Sequence, residues 1–346
     1  MTDADPPLKV AVVGVGRMGR HHARTYANLP DAQLVAVVDT DADRAHTVAD
    51  EFGGQPLTSV DALLAAHPDL DAATIAVPTR YHAEAARPLL TRGIACLIEK
   101  PLAESLTTSR ELDELAQKHV AVLQVGHTER FNPAVRAVAA MGITARYVTV
   151  NRVSPMTFRS LDVGVVMDMM IHDIDIVLML ARSPLVRVDA VGVAVLGEHE
   201  DVAEARLVFE SGCVASLTAS RLALKTERKL RLFSEASYVS LDYQKRSGIV
   251  IRKNVNELAL EEVRHELKAG KDLSDLDYEN LVNVDELTMD LDDGRSDPLT
   301  AELASFLHAA RTGEPPEVSA RAGYDAIDAA QRVQQAIREH RWQGLE

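Results

Sequence analysis

Short apolar runs alternate with longer amphipathic stretches through the first third of the chain. Leu8–Val13, Gln33–Val38, Asp71–Val77, Ile94–Ile98 and Val120–Val125 read as buried strands. The stretches between them read as helices: one from the glycine-rich turn to about Asn28, then Ser59–Ala66 with Ser59 as a possible N-cap, Arg80–Arg92 and Ser105–His119. In the last of these Leu112, Leu115 and Ala116 share a face. Strands alternating with helices in this way predict a parallel, doubly wound sheet.

The rhythm breaks at Gly126. Residues 127–133 read as a loop entering a helix that ends near Met141, followed by a strand, Ala145–Val153, and a mostly helical stretch, Val163–Ala181. Strand patterns then recur at Val186–Leu196, Ala203–Phe209, Val214–Ser220, Lys229–Phe233, Tyr238–Tyr243 and Ile249–Lys253, with Gly212 and Ser247-Gly248 as hairpin turns. Residues 254–297 are polar and acidic, with a helical excursion at Glu257–Ala269 and a short strand around Val282–Met289. Two helices close the chain, Pro298–Ala310 and Ala320–Arg338, the first with an apolar stripe of Leu299, Leu303, Phe306 and Leu307. The expected fold is α/β: a Rossmann doubly wound parallel sheet (1–126), then an α+β domain with a large, mostly antiparallel open sheet (127–297). C-terminal helices (298–346) are expected to pack back on the first domain.

Composition narrows the class. The chain has 346 residues, 47% hydrophobic and 26% charged, which suits a two-domain globular protein. A net charge of −15 argues against a nucleic-acid surface. No run approaches the ~18 apolar residues of a membrane span, and Met1–Pro7 lacks the basic and apolar regions of a signal peptide. Cys96 and Cys213 lie in apolar, strand-like runs and suit buried thiols of a reducing cytoplasm; there is no CxxC pair.

The candidate chemistry sits at strand ends. Gly14-Val15-Gly16-Arg17-Met18-Gly19 is G-x-G-x-x-G directly after a strand and opening a helix. Gly14 permits the tight turn, Gly16 lets the backbone approach a pyrophosphate, and Gly19 lets the helix pack on the strand. Arg17 and Met18 lie within this cofactor loop. Asp39 ends the next strand, where an acid grips an adenosine ribose diol. Asp41 adds negative charge and no Arg or Lys follows until Arg44, so a 2′-phosphate is repelled and NAD is favoured over NADP.

Pro78 and Thr79 follow another strand end and line the same cleft. His82 either reaches the nicotinamide ribose or is a polar residue of a helix's first turn. The pair His21-His22 reads as structural. Glu99-Lys100-Pro101 follows the strand Ile94–Ile98, placing Glu99 and Lys100 at the cofactor cleft. Lys100 there is a fixed cation or a donor to a reacting oxygen, or else a lysine reaching from a strand end to solvent. Asp168 and His172 are four residues apart on an otherwise apolar helix, with Asp175 near the same face. Three readings stay open: a catalytic acid–base with its orienting carboxylate, a buried polar cluster serving the fold, or a metal site. No further His-rich segment supplies another metal ligand.

Gly14–Gly19, Glu99-Lys100-Pro101 and Asp168-x-x-x-His172, in this order and spacing, resemble the glucose–fructose oxidoreductase / inositol dehydrogenase / MocA family over nearly the whole chain. The resemblance implies that Lys100 and His172 flank the sugar hydroxyl that loses its hydride, and that Asp168 holds His172 or a neighbouring hydroxyl. It also implies a cis bond before Pro101 and oligomer contacts through the second-domain sheet, as a homodimer or homotetramer.

A narrower likeness joins Val125–Pro133, Ser154-Pro155, Phe158-Arg159-Ser160 and Asp162–Val166 with Ile171–Asp175. It points to the bacterial UDP-N-acetylglucosamine 3-dehydrogenase branch, with Asn151 standing where that branch has histidine. Arg130 and Arg159 are candidates for a nucleotide diphosphate, or equally for surface or inter-domain ion pairs. The activity implied is NAD-dependent oxidation of a sugar secondary alcohol, with a sugar or nucleotide-sugar as the small-molecule partner. An inositol or simple-sugar dehydrogenase and a non-catalytic NAD or sugar sensor are the alternatives.

Overall fold

A computed structural model describes residues 6–157, 163–253, 257–273, 282–287 and 297–342. The described residues form two compact units. One runs to Phe131 and resumes from 297 to Gln331; the other runs from Asn132 to 287 and resumes at Arg332.

The first unit holds a six-stranded parallel sheet of order β3-β2-β1-β4-β5-β6. Its strands are β1 (Leu8–Val13), β2 (Ala32–Val38), β3 (Gln55–Leu57), β4 (Ala72–Ile75), β5 (Ala95–Glu99) and β6 (Leu123–Gly126). The intervening helices are α1 (Arg17–Asn28), α2 (Ala42–Phe52), α3 (Val60–Ala66), α4 (His82–Thr91) and α5 (Leu106–Lys118). Strand order reverses between β1 and β4, and in such sheets ligands bind beyond the strand ends at that point.

The three-residue edge strand β3 carries no periodic signal, and Pro56 within it suits only an edge. The last strand starts at Leu123 rather than Val120, because Val120 has φ 55° and is 90% exposed. Helix α9 (Pro298–Thr312) joins the core of this unit. Its Leu303, Phe306 and Leu307 pack with Val10 and Val12 of β1 and with Ala23 and Tyr26 of α1.

The second unit is built on an eight-stranded sheet of order β14-β13-β12-β11-β7-β10-β9-β8. Its strands are β7 (Tyr147–Val153), β8 (Leu185–Val193), β9 (Val202–Phe209), β10 (Val214–Ser220), β11 (Glu227–Phe233), β12 (Ser237–Asp242), β13 (Ser247–Lys253) and β14 (Val282–Glu286). All neighbours are antiparallel except the central β7 and β10. Helix α6 (Pro133–Ala140) precedes the sheet, α7 (Ile171–Ala181) packs on β7 and β10, α8 (Glu257–Lys268) follows β13, and α10 (Ala320–Glu339) closes the chain.

Strand β8 stops at Val193, short of the Leu196 that its apolar pattern suggests. The N–H groups of Val195, Leu196 and Gly197 turn instead to the carboxylate of Asp201, at 2.7, 2.6 and 3.3 Å. Asp201 is fully buried and also takes Arg221 Nε at 2.6 Å. Burial by itself would raise this carboxyl's pKa. The Leu196 and Val195 N–H groups and the Arg221 guanidinium outweigh burial and hold it well below the usual carboxylate range.

A depressed carboxylate stabilises the fold above its unfolded pKa and loses that contribution as pH falls toward its folded pKa. Asp201→Asn is therefore predicted to lower stability near neutral pH by about 3 kcal/mol in urea unfolding, by leaving Arg221 without its buried counter-charge. The gap between wild type and variant should narrow below about pH 4, where the unfolded carboxylate takes up its proton.

Candidate active site

The glycine loop has the shape a dinucleotide pyrophosphate needs. Gly14 lies at φ +84°, and a Cβ there would stand 2.7 Å from the Val77 backbone nitrogen at the exit of β4. A Cβ on Gly19 would overlap the carbonyl oxygen of Gly14, so only glycine lets α1 start this close to β1. Nothing lies within 4 Å of a Cβ built on Gly16, which leaves the approach to the loop open. Helix α1 has no side-chain cap, and no acid stands in its first turn. Its leading N–H groups and positive dipole end are thus suited to phosphate. Arg17 and Met18 are exposed in that turn.

Asp39 is buried at the end of β2. It accepts Val15 N–H at 3.0 Å and so ties the cofactor loop to the neighbouring strand. Arg44, the first cation after Asp39 in the sequence, comes into contact with it. The first turn of α2 brings Arg44 back onto it, with a terminal guanidinium nitrogen 3.1 and 3.2 Å from the two carboxylate oxygens.

Strand β5 delivers Glu99 and Lys100 to the same end of the sheet. Glu99 is buried, and its Oε1 lies 2.9 Å from Nε2 of His22 on α1. Its Oε2 takes the Lys100 backbone N–H at 3.2 Å. Burial favours the protonated acid, but the His22 hydrogen bond and the charges of His22 and Lys100 prevail and keep the carboxyl below its ordinary range. As an ionised acceptor Glu99 must receive a proton from His22 Nε2. Gly126 at the end of β6 makes room for it, since a Cβ there would stand 3.0 Å from Glu99 Cα and 3.1 Å from Oε2.

A second buried acid lies in this cluster. Glu302 on α9 is fully buried and accepts Thr128 Oγ1 at 2.8 Å. Burial, and then the charge of Glu99, push its carboxyl well above the ordinary range. These two neighbouring carboxyls are thus shifted in opposite directions. Glu302 sits three residues after Leu299 and four before Phe306, inside the apolar stripe of its helix. An acid interrupting that stripe was the available signal for it.

Lys100 is half-buried, and the peptide bond from it to Pro101 is cis. His82 does not present its ring to the cleft as a free group. It is buried, with Nε2 2.9 Å from Val77 O and Nδ1 3.0 Å from Pro101 O. Burial lowers its pKa, against the pull of the two carbonyls, which favour a proton on the nitrogen facing each of them. His82 thus clasps the exits of β4 and β5 together. Pro78 and Thr79 stand between them, Pro78 exposed and leading into a short turn at Thr79–Tyr81.

In the second unit, Asp168 lies in a π-helical turn, Val166–Met170, closed by Ile171 N–H to Val166 O, and His172 opens α7. Such turns recur at functional sites. Asp168 and His172 are half-buried, and Asp175 is buried. The next residue, Asp173, is gripped by Arg152 of β7 through two bonds of 2.6 and 2.8 Å, both side chains buried. Side chains alternate across a strand. Asn151 therefore faces the other side of the sheet from the side that holds Asp173, and is not placed with His172. Arg130 lies in the first unit, in the turn Thr128–Phe131, while Arg159 is outside the described residues. Among the described residues no three His, Cys, Asp or Glu form a metal-holding group, and no helix is long and apolar enough to cross a membrane.

This fold and loop define an NAD-binding oxidoreductase of the Rossmann type. The oxidoreductase family with an NAD-binding Rossmann fold, Gfo/Idh/MocA, matches residues 8–127, and the Gfo/Idh/MocA C-terminal domain matches residues 139–239. The chain belongs to the Gfo/Idh/MocA family and is a dehydrogenase acting on CH–OH groups.

It is 34% identical to the UDP-N-acetylglucosamine 3-dehydrogenase of Acidithiobacillus ferrooxidans, over 95% of this chain and 97% of that one. A solved structure of that enzyme superposes with a TM-score of 0.84 at 33% identity, over 95% and 97% of the two chains. The NAD-dependent scyllo-inositol 2-dehydrogenase of Bacillus subtilis is 30% identical over 62% of this chain and 67% of its own.

The buried Glu99 yields a direct prediction. His22→Phe leaves Oε1 of its buried carboxylate without a donor and should cost about 3 kcal/mol of stability near neutral pH, measured by urea unfolding. The deficit should shrink in acid, where Glu99 takes up a proton in the variant. An unchanged midpoint at both pH values would show that His22 does not hold Glu99.

Proposed function

We propose that the chain oxidises the 3-hydroxyl of a UDP-N-acetylhexosamine with NAD as hydride acceptor. The observation that carries this reading is the 34% identity to a UDP-N-acetylglucosamine 3-dehydrogenase along nearly the full length of both chains. Lys100, Asp168 and His172 are all present in the family's spacing beside it. The open backbone at Gly16 and the uncapped start of α1 hold the pyrophosphate, and Asp39 holds the adenosine ribose.

NAD, when bound, supplies the acceptor for the hydride that leaves the alcohol carbon. The Lys100 ammonium donates to the alcohol oxygen and stabilises the negative charge that develops there. His172 takes the hydroxyl proton, and Asp168 holds His172 or a neighbouring hydroxyl of the substrate. The carbon–oxygen bond becomes a carbonyl as proton and hydride depart. Glu99 and His82 position Lys100 from behind, through its N–H and through Pro101. Arg130 and Arg159 are the residues we assign to the diphosphate, and the sheet of the second unit to pairing with a further copy of the chain. The free, buried Cys96 and Cys213 fit a reducing cytoplasm.

The likeness to a scyllo-inositol dehydrogenase favours a second reading, oxidation of a polyol or simple sugar. Formation of reduced nicotinamide from NAD and UDP-N-acetylglucosamine tests the first. Inhibition of turnover by UDP separates the two, since only a nucleotide-sugar site binds UDP. Lys100→Ala is predicted to lower kcat by at least about 100-fold. NAD affinity, read by calorimetry, should stay within about threefold, because the pyrophosphate and ribose contacts lie elsewhere. Loss of NAD binding together with turnover would contradict this division of roles.

A further inference from the structure

The ribose end of the cofactor site contains a cation, Arg44. Four contacts converge on the buried Asp39 carboxylate. Val15 N–H reaches Oδ2 at 3.0 Å, Asp41 N–H reaches Oδ1 at 3.0 Å, and Arg44 Nη1 lies 3.1 and 3.2 Å from the two oxygens. Arg44 Nη2 is 3.0 Å from Asp41 Oδ2, and Asp41 Oδ1 caps α2 by accepting Arg44 N–H at 3.1 Å. One guanidinium therefore bridges two carboxylates, and the net charge of these three side chains is one negative unit rather than two.

The bridge is also free to open. The Arg44 side chain is 49% exposed and that of Asp41 47%, so the guanidinium is half in water. Asp39 keeps its two backbone N–H donors if Arg44 swings away. A ribose diol can then take the oxygens that Arg44 leaves. A 2′-phosphate instead meets a planar fork of N–H donors suited to phosphate oxygens, over a carboxylate already paired. An acid at the end of the second strand favours NAD, and an arginine nearby accommodates the phosphate of NADP. Here both residues occur and touch.

We propose that Arg44 is the specificity-determining residue of the adenosine site and that it lets the chain bind NADP as well as NAD. The inference rests on the NAD-binding domain and is independent of which sugar is oxidised.

Calorimetric binding of NAD and of NADP to the full chain, for wild type, Arg44→Ala and Arg44→Lys, tests it without any substrate. Wild type should bind both, NADP within about 100-fold of NAD. Arg44→Ala should lose at least about tenfold more affinity for NADP than for NAD. Arg44→Lys, which keeps the charge but not the fork, should fall between them. An unchanged NADP-to-NAD ratio in Arg44→Ala overturns the proposal, as does wild type that binds no NADP at millimolar concentration. Circular dichroism reports whether Arg44→Ala folds; if it does not, Arg44→Gln is read by the same ratio. Wild type that binds NAD and NADP as proposed, yet turns over no UDP-sugar, would count against the substrate reading alone.

Discussion

A charged carboxylate has been placed inside the first unit, and much around it exists to keep it there. Glu99 ends a central strand, where burial alone would neutralise it. His22 reaches across from α1, the Lys100 N–H closes on its other oxygen, and Gly126 leaves the space its carboxylate fills. The neighbouring Glu302 is pushed the opposite way, toward its protonated form, by burial and then by the charge of Glu99. The strand end that carries Lys100 is thus anchored from α1 and β6 at once.

The same device recurs around the cofactor loop. His82 gives its ring to the carbonyls of Val77 and Pro101, and Asp39 gives its carboxylate to Val15 and Asp41. Each is a polar side chain clasping the backbone of two strand exits. Loops beyond a parallel sheet have no ladder partners, so their shape is set by such clasps. A rigid floor of this kind orients a long, flexible cofactor at small entropic cost on binding.

The second unit solves a related problem on a helix. Ile171, Ile174 and Val177 bury α7 against its sheet, which leaves few polar positions on that segment. Arg152 meets Asp173 in a closed, two-bond pair, so the residue beside His172 is held to the sheet rather than left to solvent. The π-helical turn at Val166–Met170 adds one residue to the turn that carries Asp168, an irregularity that apolar spacing does not register.

The order of strands and helices, the parallel sheet, the glycine loop and the family were legible from residues alone. They rest on local periodicity and on short motifs whose spacing is itself the structure. Lys100, Asp168 and His172 stand out for the same reason, as motif residues at fixed intervals, and the role proposed for them rests on that motif. Partners distant along the chain were not legible. Glu302 meets the Glu99 cluster from 203 positions away, and Arg44 returns to Asp39 only because a helix turns back on its own cap. Asn151 was singled out by resemblance alone, and the two-residue period of its strand turns it to the face opposite Arg152 and Asp173. Local pattern determines which element forms, because backbone geometry repeats. Which side chains share a buried charge is decided by packing, where residues meet without regard to their order along the chain.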